Sequence, residues 1–513
     1  MRRWQFINTS TWNASDNITV KNIVSYGEDI NDLSSDILGT GWQAPNGTKL
    51  GLVWVTSAPG THLNDQSTFT EELQFQGNSL DGRLQWIVGG YYEKSRTLGG
   101  GTGTLTENLL NCNDPRIGEF NVPLPNGLGF VQPVDCATPF GGGKLSTSLR
   151  STVFEGFGVF SQATYDITDT LSFTGGIRYT EDRSRAVDTG IDYVVANLSA
   201  LGVPGASIVN APRIGRAPTC SSANLPYPNC TASAKTNTSA PTWLLNANYK
   251  PNSNTLFYVK YARGYKQGMV NPRALEPYKQ FGPEKLDAYE AGAKISWQGD
   301  LPGYVNVAAY YNDFSKQQFR VSWTSTDGTN TTSAIVNTAS SRGYGFEFDG
   351  GISLSDKLRL TGAFAYTNAE LKEVSVPPGP LGFPNVNDAG TPGAAAPRSP
   401  KWKGAVSAKY TLPVPEALGE ATAGISWSYS GSYYSSYDVL SKIKSFDIFN
   451  LNLDWKDIGG QSVDLGLFVN NLTNKKYYVF STALEESGFV SSYTGQPRMF
   501  GAQLKVRFGA DAQ

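Results

Sequence analysis

The sequence predicts an all-β protein, a transmembrane antiparallel β-barrel. Three observations carry that reading. Residues alternate polar and apolar over long runs, connections alternate between short and long, and the composition is rich in aromatic residues and poor in charge.

Composition sets the outer bounds. The chain has 513 residues, 12% of them aromatic, with 26 Tyr and 11 Trp. Charged residues make up 17%, against roughly 25% in soluble domains. Formal net charge is −2, so the basic footprint of a nucleic-acid partner is missing. No apolar run approaches the ~18 residues that a membrane-spanning helix requires. Mean hydropathy is slightly negative. A barrel reconciles that with lipid, because half of each strand faces an aqueous lumen.

Alternation is clearest near the C-terminus. In "MFGAQLKVRF" (499–508), Phe500, Ala502, Leu504, Val506 and Phe508 share one face, and Gly501, Gln503, Lys505 and Arg507 share the other. The first face is predicted to meet lipid and the second the lumen. The same period-two pattern recurs in 83–93, 171–182 and 462–470, and such patterns read as strands with one apolar face. About 17 strands are predicted: 2–13, 17–29, 67–79, 83–97, 153–166, 170–185, 238–250, 254–268, 285–298, 304–320, 334–352, 358–372, 400–411, 420–436, 444–455, 462–478 and 497–508. Many reach about 12–16 residues, well beyond the usual five or six. Crossing a bilayer at a tilt takes about 9–11.

The connections supply the third observation. "ASD" (14–16), "LDG" (80–82), "ITD" (167–169) and "PNS" (251–253) are short, whereas 30–66, 98–152 and 186–237 are long. Asp, Asn and Gly suit tight turns. Outer-membrane barrels place short turns in the periplasm and long loops outside the cell, so 98–152 and 186–237 are expected outside. The four cysteines fall two to a long link, Cys112 with Cys136 and Cys220 with Cys230. Local disulfides are expected, formed in an oxidising compartment, although four cysteines allow three pairings and free thiols are the alternative. The spacings and the lone histidine argue against zinc.

Residues that carry chemistry are sparse. His62 is the only histidine, and no nucleophile motif accompanies it to build a Ser-His-acid triad. "GGGKLST" (141–147) has Leu145 after Lys144, where a phosphate loop needs Ser or Thr, and Thr138 where the first Gly belongs. The Glu pairs at 71–72 and 485–486 read as solvated carboxylates. No enzymatic activity, cofactor or metal is predicted. Long predicted loops hold Trp42, Tyr227, Tyr278, Phe281 and Trp323, and the barrel mouth holds Arg178, Lys266, Gln267, Tyr433 and Tyr434. Of these, Arg178, Lys266, Gln267, Tyr433, Tyr434 and Trp323 are the candidate ligand-binding residues. Aromatic rings interleaved with cations suit a catecholate iron chelate, and equally an aromatic or sugar ligand.

Several stretches resemble the barrel of TonB-dependent outer-membrane receptors. They are "GGIRYTED" (175–182), "YARGYKQG" (261–268), "PEKLDAYEAGAK" (283–294), "RGYGFEF" (342–348), "SPKWKGAVSAKY" (399–410), "FVNNLTNKKYY" (468–478) and "GQPRMFGAQLKVRF" (495–508). They keep the family's order and span most of the chain. The resemblance implies a 22-stranded barrel filled by an N-terminal plug, in the outer membrane of a Gram-negative bacterium. It also implies uptake of a scarce small-molecule ligand, usually a ferric siderophore, driven through the TonB complex.

The family carries a signal peptide, a TonB-contacting segment and a plug before its barrel. Here "MRRWQFINTSTWN" already reads as a strand. The expectation is therefore a single barrel domain over 1–513, with about 17 of the 22 family strands and without the plug or the TonB-contacting segment. If 497–508 is the last family strand, 2–13 corresponds to the sixth, and both run towards the periplasm. An unpaired seam between them, or a strained parallel closure, is expected, and this chain alone is not expected to gate transport. A passive porin or surface-binding barrel is the alternative, marked by antiparallel closure of those two strands.

Overall fold

The computed structural model describes residues 1–36, 54–99, 101–108, 122–123, 130–131, 144–194, 218–221, 225–326, 331–388, 390–484 and 489–508. Hairpins with short turns build one continuous wall. The first pairs β1 (Arg2–Ser15) with β2 (Ile18–Asn31), and the second β3 (Asn64–Ser79) with β4 (Leu84–Thr97). β5 (Lys144–Asp166) and β6 (Leu171–Val194) follow, then β7 (Thr231–Asn252) and β8 (Thr255–Lys266). Next come β9 (Glu284–Trp297) with β10 (Gly303–Thr324) and β11 (Thr331–Ser353) with β12 (Leu358–Val374). β13 (Trp402–Thr411) pairs with β14 (Glu420–Ser430), and β15 (Phe446–Lys456) with β16 (Val463–Asn470). β17 (Met499–Val506) closes the series against β16. Each strand is antiparallel to the next, and each predicted long strand has an observed counterpart, although 462–478 ends at Asn470 and 420–436 at Ser430. In the β3–β4 turn, Leu80, Asp81 and Gly82 all take positive φ, at 54°, 54° and 87°, a left-handed path that Asp and Gly tolerate best.

Several strands run much further than the sequence pattern indicates. β5, β6, β7, β10 and β11 have 23, 24, 22, 22 and 23 residues, roughly 70–80 Å at 3.3 Å per residue. The membrane consumes about 9–11 of these residues, and the rest stand above it. Residues 144–152, 186–194 and 231–237, expected as loop, are therefore strand. Thr102–Asn108, also expected as loop, pairs with the start of β5. Most of these segments are rich in Ser and Thr and poor in apolar residues; 186–194 does alternate, with Val187, Ile191 and Tyr193 on one face, but the charged run at 181–185 separates it from the apolar alternation below.

Opposed residues in an antiparallel pair share a face, so the register fixes which side chains meet lipid. On β16 and β17 the pairs Val463–Val506, Leu465–Leu504 and Val469–Phe500 share the outer face. Asp464 opposes Lys505 on the other face, and Arg507 donates to Asp464 at 2.7 Å. The predicted register thus holds. Around the outer face Trp86, Tyr165, Tyr249, Trp297, Tyr410 and Trp455 mark one level, and Tyr92, Tyr179, Tyr289, Tyr311 and Tyr344 mark a higher one. Tyr289 stacks on Tyr261 with centroids 4.8 Å apart and meets Tyr311 at 6.4 Å. From Trp297 to Tyr289 is eight residues, roughly 26 Å along the strand, which at a tilt of about 35–45° spans roughly 19–22 Å of the ~25 Å apolar band that aromatic girdles flank.

Among the described residues β1 pairs only with β2, and β17 only with β16. Of the two outcomes expected at that seam, the structure shows the unpaired one. Every residue of β1 is exposed, since one flank has no neighbouring strand.

Above the membrane, β10 and β11 change phase together. Phe314 opposes Ser341, Gln317 opposes Ala339 and Gln318 opposes Asn337, so each strand carries one extra residue. Lys316 takes φ 52° within the first bulge. Each bulge swaps the faces of its strand. Val305, Val307 and Tyr311 face lipid, yet Phe319, Val321 and Trp323, of the same parity, turn inward. They form an apolar cap core with Ala274, Ala334, Val336 and Leu371, packed by Tyr278, Phe383 and Tyr437 from the loops.

Candidate ligand site

On the lumen side of β4, β5 and β6, near the outer mouth, the wall carries bulky polar groups rather than the small residues that fill tight sheets. Gly158 makes room for one of them: a Cβ there would lie 2.6 Å from Nη2 of Arg178. The Arg178 guanidinium occupies that space, 5.3 Å from the Tyr91 ring centroid and 5.7 Å from that of Phe160. Its Nε donates to Thr180 Oγ1 at 3.0 Å. The Tyr91 hydroxyl donates to Glu93 at 2.8 Å, and the Tyr265 hydroxyl donates to the buried Asp182 carboxylate.

These groups border a cavity of about 770 Å³, which Phe154, Lys266 and Gln267 also line. A second lumenal cavity of about 760 Å³ lies beside Tyr258, Lys260, Glu290 and Tyr310. There Lys260 bridges to Glu290 at 2.7 Å, and the Tyr258 hydroxyl donates to the same carboxylate at 2.7 Å. The first cavity therefore offers Arg178 and Lys266 to an incoming anion, while phenol donors occupy both of its carboxylates. In the second, the Lys260 cation is already paired.

Three of the six sequence-chosen binding residues, Arg178, Lys266 and Gln267, thus meet around one cavity. The other three lie elsewhere. Trp323 is fully buried in the cap core, stacked on Tyr278 at 5.1 Å. Tyr433 and Tyr434 form a two-residue strand against Lys442–Ile443. There the Tyr433 hydroxyl donates to Val479 O at 2.8 Å, and burial raises the Tyr433 phenol above its ordinary pKa. Lys442 sits 5.7 Å from the Tyr434 ring centroid.

Of the remaining loop residues, Tyr227 is exposed and Phe281 is buried, while Trp42 lies outside the described residues. Cys220 and Cys230 form the expected disulfide. Cys112 and Cys136 lie outside the described residues. His62 Nδ1 meets Asp32 Oδ1 at 2.7 Å, and that hydrogen bond holds the Asp32 carboxyl below its ordinary range.

Tyr91, Phe154 and Tyr265 were not singled out in the sequence. Tyr91 carried only a weak signal: it is an aromatic residue on the more polar phase of β4, which Ile87 also interrupts.

Comparison with known proteins agrees with this architecture. The family model described as TonB dependent receptor-like, beta-barrel, matches residues 2–472. The ferric yersiniabactin uptake receptor FyuA from Yersinia pestis superposes with a TM-score of 0.66 at 14% identity, covering 99% of this chain and 61% of that one. The siderophore receptor PiuA from Acinetobacter baumannii gives 0.62 at 17% identity, covering 98% and 64%. The copper transporter OprC gives 0.57 at 14% identity, covering 98% and 64%. The chain thus spans less than two thirds of each of these structures, and the likeness at these identities is one of fold. No match was found among curated protein sequences. With the family model spanning most of its length and a wall of tilted amphipathic strands, this chain belongs to the TonB-dependent receptor β-barrel family of the Gram-negative outer membrane.

Proposed function

We propose that this chain forms the wall of a transporter that takes up a scarce anionic chelate, a ferric siderophore, with energy delivered through TonB. The carrying observation is the cavity at the outer mouth, where the rings of Tyr91, Phe154 and Tyr265 stand beside Arg178 and Lys266. Cations over aromatic faces favour a flat ligand that is both aromatic and negatively charged. Such a ligand would slide between the rings and pair with the guanidinium and the ammonium. The siderophore receptors among the similar structures support the same ligand class, and the copper transporter keeps other metal cargo in view.

The reading makes the protein a binder and carrier, with no bond made or broken in the ligand. Its test compares a deletion strain with its parent during iron-limited growth on single ferric chelates. The deletion strain is expected to fail on a catecholate chelate and recover with the wild-type gene. Equal growth on every chelate overturns the siderophore reading. Quenching of protein fluorescence by a ferric catecholate tests the site itself: Arg178→Ala with Lys266→Ala is expected to weaken binding at least tenfold, and unchanged binding moves the site elsewhere.

A further inference from the structure

The cavity at the outer mouth is divided by charge. Its lower part holds the Arg178 guanidinium, in the space that Gly158 leaves. One lumenal row higher, register sets Glu93, Gly156 and Asp182 side by side on β4, β5 and β6. Directly opposed Cα atoms lie about 5 Å apart, so the two acidic residues stand ~10 Å apart with a residue between them that has no side chain. The point that a Cβ of residue 156 would occupy lies 3.2 Å from Asp182 Oδ1 and 3.4 Å from the Phe154 ring. It is a small recess, bounded by a carboxylate and an aromatic ring.

Two carboxylates so placed disfavour each other's charge. Asp182 is 4% exposed, and an ionised carboxylate at that depth is costly unless paired. Burial raises the Asp182 carboxyl above its ordinary value, against the Tyr265 hydrogen bond, and Glu93 adds to the rise. Each carboxylate takes one phenol hydrogen bond, through Glu93 Oε2 and Asp182 Oδ2. Neither forms an ion pair among the described residues, although Arg178 and Lys266 border the same cavity. Unspent hydrogen-bonding capacity surrounds the recess. Ser184, 3% exposed, lies one row above Asp182 on the same face, opposite Phe154, and its Oγ is buried without a partner. Thr238 stands directly opposite Asp182, and its Oγ1 is also buried without a partner.

We propose that the recess over Gly156 receives a primary ammonium group of the ligand, so that the chelate taken up is zwitterionic. Its anionic part meets Arg178 and Lys266, and its ammonium donates to Glu93 Oε1 and Asp182 Oδ1 beside the Phe154 ring. The inference rests on the cavity being the ligand site, as proposed above. An ammonium has three donors, which two carboxylates and a hydroxyl satisfy, and such charge-assisted bonds are roughly twice as strong as neutral ones. The ring adds a cation–π contact. A wholly anionic chelate would meet the acidic row as a repelling neighbour, and a bare metal ion would meet Arg178 and Lys266 in the same way.

The test titrates the fluorescence of the full chain, folded in detergent, with two ferric probes. One is the iron(III) complex of lysine acylated on its α-nitrogen with dihydroxybenzoic acid, which keeps a free side-chain amine. The other is the same complex with that amine acetylated. The wild type is expected to bind the amine probe at least tenfold more tightly than the acetylated one. Glu93→Gln/Asp182→Asn is expected to bind the two alike. Gly156→Ala, which fills the recess and keeps both carboxylates, is expected to lose the preference as well. Arg178→Ala/Lys266→Ala is expected to weaken both probes and keep the preference. Heat-dependent gel mobility confirms that each variant is folded. Equal wild-type affinity for the two probes, or a preference that survives in the carboxylate or the glycine variant, overturns the ammonium site. Unchanged binding of both probes by Arg178→Ala/Lys266→Ala overturns the cavity as the ligand site, and this inference with it.

Discussion

The Arg178 guanidinium stands 5.3 Å from the centre of the Tyr91 ring, and the space it occupies exists because residue 158 has no side chain. The cavity wall is thus shaped by an absence on β5 as much as by the cation on β6. Overfilling such a site forces side chains off their preferred rotamers, at a cost of about 1–3 kcal/mol. Gly158→Val is expected to lower the urea midpoint of the folded barrel by that order and to displace Arg178 from Tyr91. In an Arg178→Ala background the same change is expected to cost much less. A double-mutant cycle measures that coupling, and strict additivity would refute the packing account.

The lipid-facing register predicts opposite fates for neighbouring residues on β17. Leu504→Arg places a charge on the lipid face and is expected to destabilise the barrel; such a charge costs about 2–4 kcal/mol at the midplane and about 0–1 kcal/mol near the interfaces. Gln503→Arg points into the lumen and is expected to be nearly neutral. Reversible unfolding in bilayers compares the two, and the reverse order would shift the register by one residue.

Trp323 is wholly enclosed by the cap. Its replacement by Ala is expected to cost about 3–5 kcal/mol, confined to the cap because the wall below is held by its own ladder of hydrogen bonds. Protease is expected to cut the variant within 375–401 while its folded gel mobility persists. Loss of that mobility would show that cap and wall unfold as one unit.

The Asp32 carboxyl titrates below its ordinary value because His62 hydrogen-bonds to it. A depressed folded-state pKa stabilises above the unfolded value, and that contribution disappears as pH falls through the folded value. The amide of Gly103 donates to the His62 carbonyl at 2.8 Å and reports on the contact. Its hydrogen exchange, corrected for intrinsic rate, is expected to accelerate as pH drops below the carboxylate range. Asp32→Asn is expected to remove that pH dependence, and a variant that keeps it would place the cause elsewhere.

Much of the wall was legible because lipid enforces a strict rule. Leu504 and Val506 alternate with Gln503 and Lys505 because a misplaced polar group in hydrocarbon is costly, and short links such as 80–82 announce themselves through Asp and Gly. Above the membrane that rule lapses. Residues 144–152 remain strand with only Leu145 and Leu149 to mark a face, and 186–194 resumes its alternation at Val187, Ile191 and Tyr193 only after the charged run at 181–185, so backbone pairing carries the strands further than the apolar pattern does. The site was half legible. Arg178 and Lys266 stood out as cations at the mouth, whereas Tyr265 reaches the cavity through a hydrogen bond to Asp182 on a strand 83 residues away in sequence. Such a partnership depends on register and is invisible in the linear order.

The paired bulges on β10 and β11 have a consequence for how the chain tolerates change. Below them an odd-numbered residue of β10 belongs to the membrane, and above them an odd-numbered residue belongs to the protein's own interior. The border between the two solvents is therefore written in the backbone by one inserted residue per strand, with no mark in the hydropathy. Removing Lys316 alone would set the strands out of step with each other. Removing one residue from each bulge, Lys316 and Thr338, would restore the pairing and leave regular strands whose side chains keep their present faces, with Phe319, Val321 and Trp323 still turned inward. At that border the wall is more vulnerable to a change in the length of one strand alone than to the same change made in both.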